Sequence, residues 1–325
     1  PFDRLITYSV LLLCVGALIR FIYGYYCKRH FEECTYHFVY DKAVLKSMTS
    51  FAGWNFLGNG AYMLNTQGVN ILMNMYFGVA VNAARGVATQ VDAALKQFVN
   101  SFTTAVNPQI TKSYAQGDLK SMHKLVCRSA KFSAFLMMFF AVPIILETDQ
   151  ILTLWLKNPP AYASIFLKWI IISSFMDTVL ANSLVTSMFA TGNIKRYQII
   201  VTTVGCLVFP LSWLAFQLGF EPQVGYILYF IIYSILLIIR LYLLRGMVKL
   251  PIVLLRLLPT IAICFASSSL FLIVIEEGFI RLVLITLLNL IITSITVYFI
   301  GLERSEKTYF KTLLSKLPIL KRNLI

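Results

Sequence analysis

Long apolar runs separated by short basic connections organise the chain. Six runs, at residues 5–26, 132–152, 162–190, 197–218, 224–244 and 279–301, reach the length of a membrane helix. That length is roughly 20 mainly apolar residues, enough to cross about 30 Å of hydrocarbon. A seventh run, 260–275, is shorter but free of charge. Residues 50–77 and 84–107 are long enough but polar, and hydropathy alone scores them poorly. Counted with the rest, they predict an all-α polytopic membrane helix bundle of about nine transmembrane helices.

Composition supports this class. The chain has 325 residues, 58% hydrophobic and 13% charged, whereas soluble domains carry about 25% charge. Mean hydropathy is +0.76. Ordinary soluble globular protein and intrinsic disorder are both excluded. The net charge of +14 would suit nucleic acid, but its distribution argues for membrane topology and against a nucleic-acid partner. Cytoplasmic loops collect Lys and Arg. With alternate connections and the tail taken as cytoplasmic, that side holds 21 of the 28 basic residues. They include Lys112, Lys124, Arg128 and Lys131 in one connection, and Arg240, Arg245, Lys249 and Arg256 in another. Arg4, Arg85, Lys157 and Arg281 fall on the opposite side; Arg20, Lys96 and Lys168 fall within spans. The alternation needs both polar segments as spans and places the carboxyl end inside. The chain opens Pro1-Phe2-Asp3-Arg4 with neither an initiator Met nor a signal-type n-region, so an internal start, and hence an N-terminally truncated chain, is expected.

The polar segments carry the candidate chemistry. On a helical wheel, Asp92, Lys96, Asn100, Thr103 and Asn107 fall within about 80°, and Asn55, Asn59, Gln67, Asn70 and Asn74 within about 120°. Intramembrane charge costs roughly 2.5–3.5 kcal/mol per residue, so such residues face a bundle interior or a hydrated cavity. One polar residue serves as interhelical glue; ten aligned on two helices predict the wall of an aqueous pathway. Asp92 and Lys96 are spaced for an i,i+4 pair. Asp177, mid-span beside Ser173 and Ser174, is a further cavity candidate.

Other signals narrow the chemistry. The outer connections are too short for a catalytic domain, and phosphate loops and H-E-x-x-H are absent. No catalytic residue, metal ligand or cofactor is expected, and the chain is read as a non-enzyme. Cys27, His30, Cys34 and His37 fit no zinc spacing and read as coincidence. Phe310, Leu313, Leu314 and Leu317, with basic neighbours, predict an amphipathic tail helix on the inner membrane surface, ending at Pro318. Val44, Leu45, Met48 and Ala52 predict a shorter one ahead of the second span.

Three blocks resemble a family: Asn82-Ala83-Ala84-Arg85-Gly86, Asn107-Pro108-Gln109-Ile110-Thr111-Lys112-Ser113-Tyr114 and Ala190-Thr191-Gly192-Asn193-Ile194-Lys195. They are similar to bacterial polysaccharide and O-antigen flippases of the multidrug/oligosaccharidyl-lipid/polysaccharide exporter superfamily, over about residues 40–250. The resemblance implies a MATE-like fold of two six-helix lobes around a cavity that opens alternately to each side. Residues 1–26 would end the first lobe, 27–49 link the lobes in the cytoplasm, 50–250 form the second lobe, 251–302 add two helices and 303–325 form the basic tail. It also implies a lipid-linked (undecaprenyl-diphosphate) oligosaccharide as cargo, flipped from the inner to the outer leaflet of the bacterial inner membrane for cell-surface polysaccharide or lipopolysaccharide synthesis. The partners would be that cargo, membrane lipids and a coupling cation, H+ or Na+. Lys96 is assigned to the anionic group of the cargo or to relay with Asp92. An ion-coupled multidrug efflux antiporter of the same superfamily is the alternative. A membrane polysaccharide polymerase or ligase fits poorly, because the outer connections are short.

Overall fold

The structure is a computed structural model that describes residues 4–32, 34, 40–245, 251–274, 278–304 and 306–308. The described residues are overwhelmingly helical, and the chain is an all-α polytopic membrane helix bundle. Six helices are long and apolar enough to cross a membrane: Ile6–His30, Leu119–Leu146, Ala163–Ala190, Lys195–Gln217, Val224–Leu243 and Phe279–Gly301. A shorter apolar helix covers Leu257–Leu270. The predicted tail helix, with Phe310, Leu313, Leu314, Leu317 and Pro318, lies outside the described residues, as does His37.

The chain divides into two compact units, Pro1–Thr49 and Ser50–Ile325. In the first, α1 (Arg4–His30) places Lys28, Arg29 and His30 in its last turn, where cations meet the negative end of the helix dipole. Helix α2 (Lys42–Ala115) then starts at Asp41, whose Oδ1 accepts from the backbone N–H of Ala43 and Val44 at 2.8 and 3.2 Å. The short helix predicted around Val44–Ala52 is therefore the opening of α2 and not a separate element.

Helix α2 breaks at Gly78, with φ 81° and ψ −179°, a conformation essentially restricted to glycine. Arg85 Nη2 donates to the Thr66 carbonyl at 2.9 Å. Along a straight helix those residues would stand about 28 Å apart, so the arms before and after Gly78 fold back on each other. The two polar spans of the sequence reading form this hairpin. Its second arm stops at Gly117 (φ 74°), where the Asp118 N–H reaches back to the Ser113 carbonyl at 3.0 Å, satisfying a terminal carbonyl.

Asp118 begins α3 (Leu119–Leu146) by accepting from the Ser121 N–H at 3.0 Å. The connection predicted to hold Lys112, Lys124, Arg128 and Lys131 is thus only three residues, and those cations ride on the ends of two helices. Met122, Val126, Ala130, Ala134 and Met138 give α3 a buried i,i+4 face that shares one apolar core with Ala84, Ala88, Leu95, Val99 and Ile110 of α2. Next come α4 (Thr148–Leu156), α5 (Ala163–Ser174), a π-helical turn (Phe175–Leu180), α6 (Asn182–Ala190), α7 (Lys195–Gly205), α8 (Val208–Gln217) and α9 (Val224–Leu243). Helix α9 lies against α5, α7 and α8.

Helices α10 (Pro251–Val274) and α11 (Phe279–Thr296) pair with each other and dock on α3. Three polar stations fix them there. Arg281 Nε lies 2.7 Å from buried Glu147 at one end. Asn289 donates to the Phe139 carbonyl at 3.2 Å midway and accepts from Ser268. Glu306 meets Lys131 at 2.5 Å and Arg128 at 3.4 Å beyond the far end. Membrane helices gain little from apolar contact alone, since lipid is equally apolar, so such polar contacts select where a helix pair docks.

Candidate functional site

The first arm of α2 packs through small residues. An ideal Cβ on Gly58 would sit 1.3 Å from Gln198 Nε2, and one on Gly68 would sit 2.5 Å from the Phe209 ring. With the packed face committed to α7 and α8, the arm's polar side chains reach a cavity of about 160 Å³ from its edge. A cavity of that size with polar walls has room for several waters. Asn55, Asn59, Tyr62 and Asn65 line it from α2; Tyr197, Gln198 and Thr202 from α7; Tyr233 and Arg240 from α9; and Asp177 from the π-helical turn.

The Asp177 stretch is irregular for a local reason. Ser173 donates back to the Trp169 carbonyl at 2.8 Å, a contact that bends helices, and the π turn follows at once. Such turns insert a residue and re-aim side chains, frequently at functional sites. Here Asp177 Oδ1 lies 3.5 Å from Arg240 Nη1. Arg240 is 6% exposed; its Nη1 is engaged by Asp177, and its Nε has no hydrogen-bond acceptor among the described residues. A guanidinium N–H without an acceptor at a cavity wall favours a polar, oxygen-bearing occupant.

The ten stripe residues divide among several environments. Asn55 and Asn59 line the cavity and are joined by a 3.2 Å hydrogen bond. Gln67 and Asn74 are exposed on the arm's open side, and Asn70, half-buried, lies 3.5 Å from Gln67. On the second arm Asp92 is buried and holds Lys96 at 2.8 Å. Thr103 is buried and accepts from Asn182 at 3.2 Å. Asn107 is half-buried with its Oδ1 unpartnered, and Asn100 is exposed. The polar stripe borders the buried face of Ala84, Ala88, Leu95 and Val99. Residues on its near edge are therefore drawn inside, and those on its far edge stay out. Lys96 and Asp92 lie within electrostatic reach of Asp177, so two opposite-charge pairs neighbour each other in the bundle.

Several site residues escaped the sequence reading. Asn65, buried and donating to the Gly205 carbonyl at 2.7 Å, lies off the polar stripe. Tyr62, Tyr197, Gln198 and Tyr233 carry no pattern. Arg240 was counted in a cytoplasmic connection, but it belongs to the last turns of α9 and is drawn inward by Asp177. Its signal was legible, since a charge inside an otherwise apolar run marks a functional candidate.

A scan against protein-family models finds no match to the chain, and neither do searches of curated proteins and of solved structures.

Proposed function

We propose that the protein moves a lipid-linked (undecaprenyl-diphosphate) oligosaccharide from the inner to the outer leaflet by alternating access. On this reading it resides in the bacterial inner membrane with its carboxyl end cytoplasmic, and serves cell-surface polysaccharide or lipopolysaccharide synthesis. The single observation that carries the reading is the cavity wall, where amides and tyrosines surround one carboxylate and one guanidinium. A sugar exchanges hydrogen bonds with amides, hydroxyls and charged groups much as it does with water. The opposite charges cancel, which suits an uncharged glycan. An amphipathic cation would find no net negative charge at the wall, where Arg240 offsets Asp177, which weighs against the multidrug alternative. Lys96 is already held by Asp92, so its role is relay within the pair more than capture of the cargo's anionic group. Flux is then coupled to H+ or Na+ movement.

The test is transfer of a fluorescent lipid-linked oligosaccharide across proteoliposomes containing the full-length protein. Asn59→Leu/Gln198→Leu removes two amides and should cut the rate at least about tenfold, since each lost hydrogen bond costs about 1 kcal/mol and the new side chains exclude water. Efflux of a lipophilic cation is measured alongside. Unchanged glycolipid flux in the variant, or cation flux that falls in its place, would falsify the proposal.

A further inference from the structure

A second recess opens between the arms of α2 on the Gly78 side, separate from the cavity, with a volume of about 470 Å³. Asn70 contributes from the first arm; Asn82, Arg85, Thr89 and Gln90 contribute from the second. Gly86 and Ala93 and the aliphatic stems of its polar side chains make much of the wall apolar; its polar groups are one guanidinium, three amides and a hydroxyl, with no carboxylate.

Arg85 differs from the other interior cations. Lys96, Arg240, Arg281 and Lys131 each face an acid. Arg85 forms no ion pair among the described residues. It donates to the Thr66 carbonyl. Guanidinium has five N–H donors in a fork that matches phosphate oxygens, so several remain for a ligand. A half-buried positive charge with no counter-charge favours an anion brought from outside.

Its depth indicates where that anion comes from. Arg85 lies seven residues past Gly78, about 10 Å along the arm. Thr66, which it reaches, lies twelve residues before Gly78, about 18 Å along the other arm. At that depth, inside a membrane helix bundle, the anion at hand is the phosphate of a lipid. The recess is open and not an enclosed cavity.

We infer that this recess binds a lipid phosphate, with Arg85 supplying the charge and Asn82, Thr89, Gln90 and Asn70 the surrounding hydrogen bonds. The phosphate belongs either to an ordinary phospholipid or to a polyprenyl diphosphate. The inference does not rest on the transport reading, and a failed flux assay leaves it untouched.

Native mass spectrometry of the full chain in detergent tests it with three probes: phosphatidylglycerol, a polyprenyl diphosphate and, as phosphate-free reference, monoglucosyl diacylglycerol. Arg85→Gln keeps an amide for the Thr66 carbonyl and should weaken phosphate-lipid adducts about tenfold or more, as expected for a hydrogen bond to a charged group. Thr89→Val/Gln90→Leu leaves Arg85 and its Thr66 bond in place and should weaken them severalfold; it decides the matter if Arg85→Gln does not fold. Preferential loss of the diphosphate lipid assigns the site to that carrier, and equal loss of both assigns it to bulk phospholipid; each supports the inference. Wild-type protein that retains the reference glycolipid as strongly as the phosphate lipids overturns it. So do variants that bind phosphate lipids like wild type.

Discussion

Neutralising Asp177 strands Arg240 inside the bundle. The two groups are 3.5 Å apart, with side chains 19% and 8% exposed. At that separation and an effective dielectric of about 20, their attraction is about 5 kcal/mol. The partial exposure of Asp177 and relaxation around the survivor reduce the expected loss to about 3 kcal/mol for Asp177→Asn or Arg240→Met, at the lower edge for breaking a buried pair. A chain of this size loses about 2 °C of melting temperature per kcal/mol, so each single variant should melt about 6 °C below wild type. The double variant Asp177→Asn/Arg240→Met removes both desolvation costs together and should return to within about 1 kcal/mol of wild type. Tryptophan fluorescence follows the transition in nanodiscs. The cycle isolates the pairwise energy, because each substitution removes the contact without adding a charge. Two single variants that melt with wild type would show the pair to be solvated and idle. A double variant as unstable as both losses combined would show that the two residues act on separate contacts. Either result removes the charge-balanced wall on which the cargo argument stands.

Three further outcomes follow from the packing. An ideal Cβ at Gly301 would lie 2.5 Å from the buried Phe135 ring, so Gly301→Ala should cost about 1–3 kcal/mol as overpacking, and Phe135→Leu should recover most of it in a melting assay. Glu306→Gln leaves buried Lys131 without its acid and should cost about 3 kcal/mol, whereas Lys131→Met added to it should restore the melting temperature. Ser121, through its hydroxyl and backbone N–H, holds the Asp118 carboxyl below the usual carboxylate range. The unfolded chain therefore binds the proton more readily. The cap's contribution is complete above the unfolded value near about 3.9 and disappears as pH falls through the lower folded one. Hydrogen-exchange protection at Ser121 and Met122 should fall in that acid window, and in Asp118→Asn it should not change there.

Run length and hydropathy were enough to read the helical, membrane-spanning class, because a spanning helix satisfies its own backbone and needs only apolar length. The hairpin was legible less directly, from the charge alternation that required residues 50–77 and 84–107 to count as spans. The division of the polar stripes was not legible. A wheel reports angles on one helix, whereas burial depends on what lies opposite, as the contrast between Thr103 and Asn100 shows. Arg240 was misplaced for a related reason. Its position near the end of a run made it look like a loop charge, and its counter-ion sits 63 residues earlier on another helix.

The packing of the first arm explains why its amides point where they do. Gly58, Ala61, Asn65, Gly68 and Leu72 recur at alternating steps of three and four, one face of a helix. The two glycines let Gln198 and Phe209 approach closely, as small residues do wherever membrane helices meet. Asn65 alone among the arm's amides is spent as glue, on the Gly205 carbonyl. Asn59, Gln67 and Asn74 stand on the side away from that contact and are exposed. Exposed to hydrocarbon, each would carry the cost of an unsatisfied amide. Lipid is therefore the costliest neighbour for that face, and water, sugar or polar protein the cheapest. A helix close-packed through glycines on one side and lined with amides on the other sacrifices hydropathy, and under the proposed transport function a hydrated path accounts for both sides together.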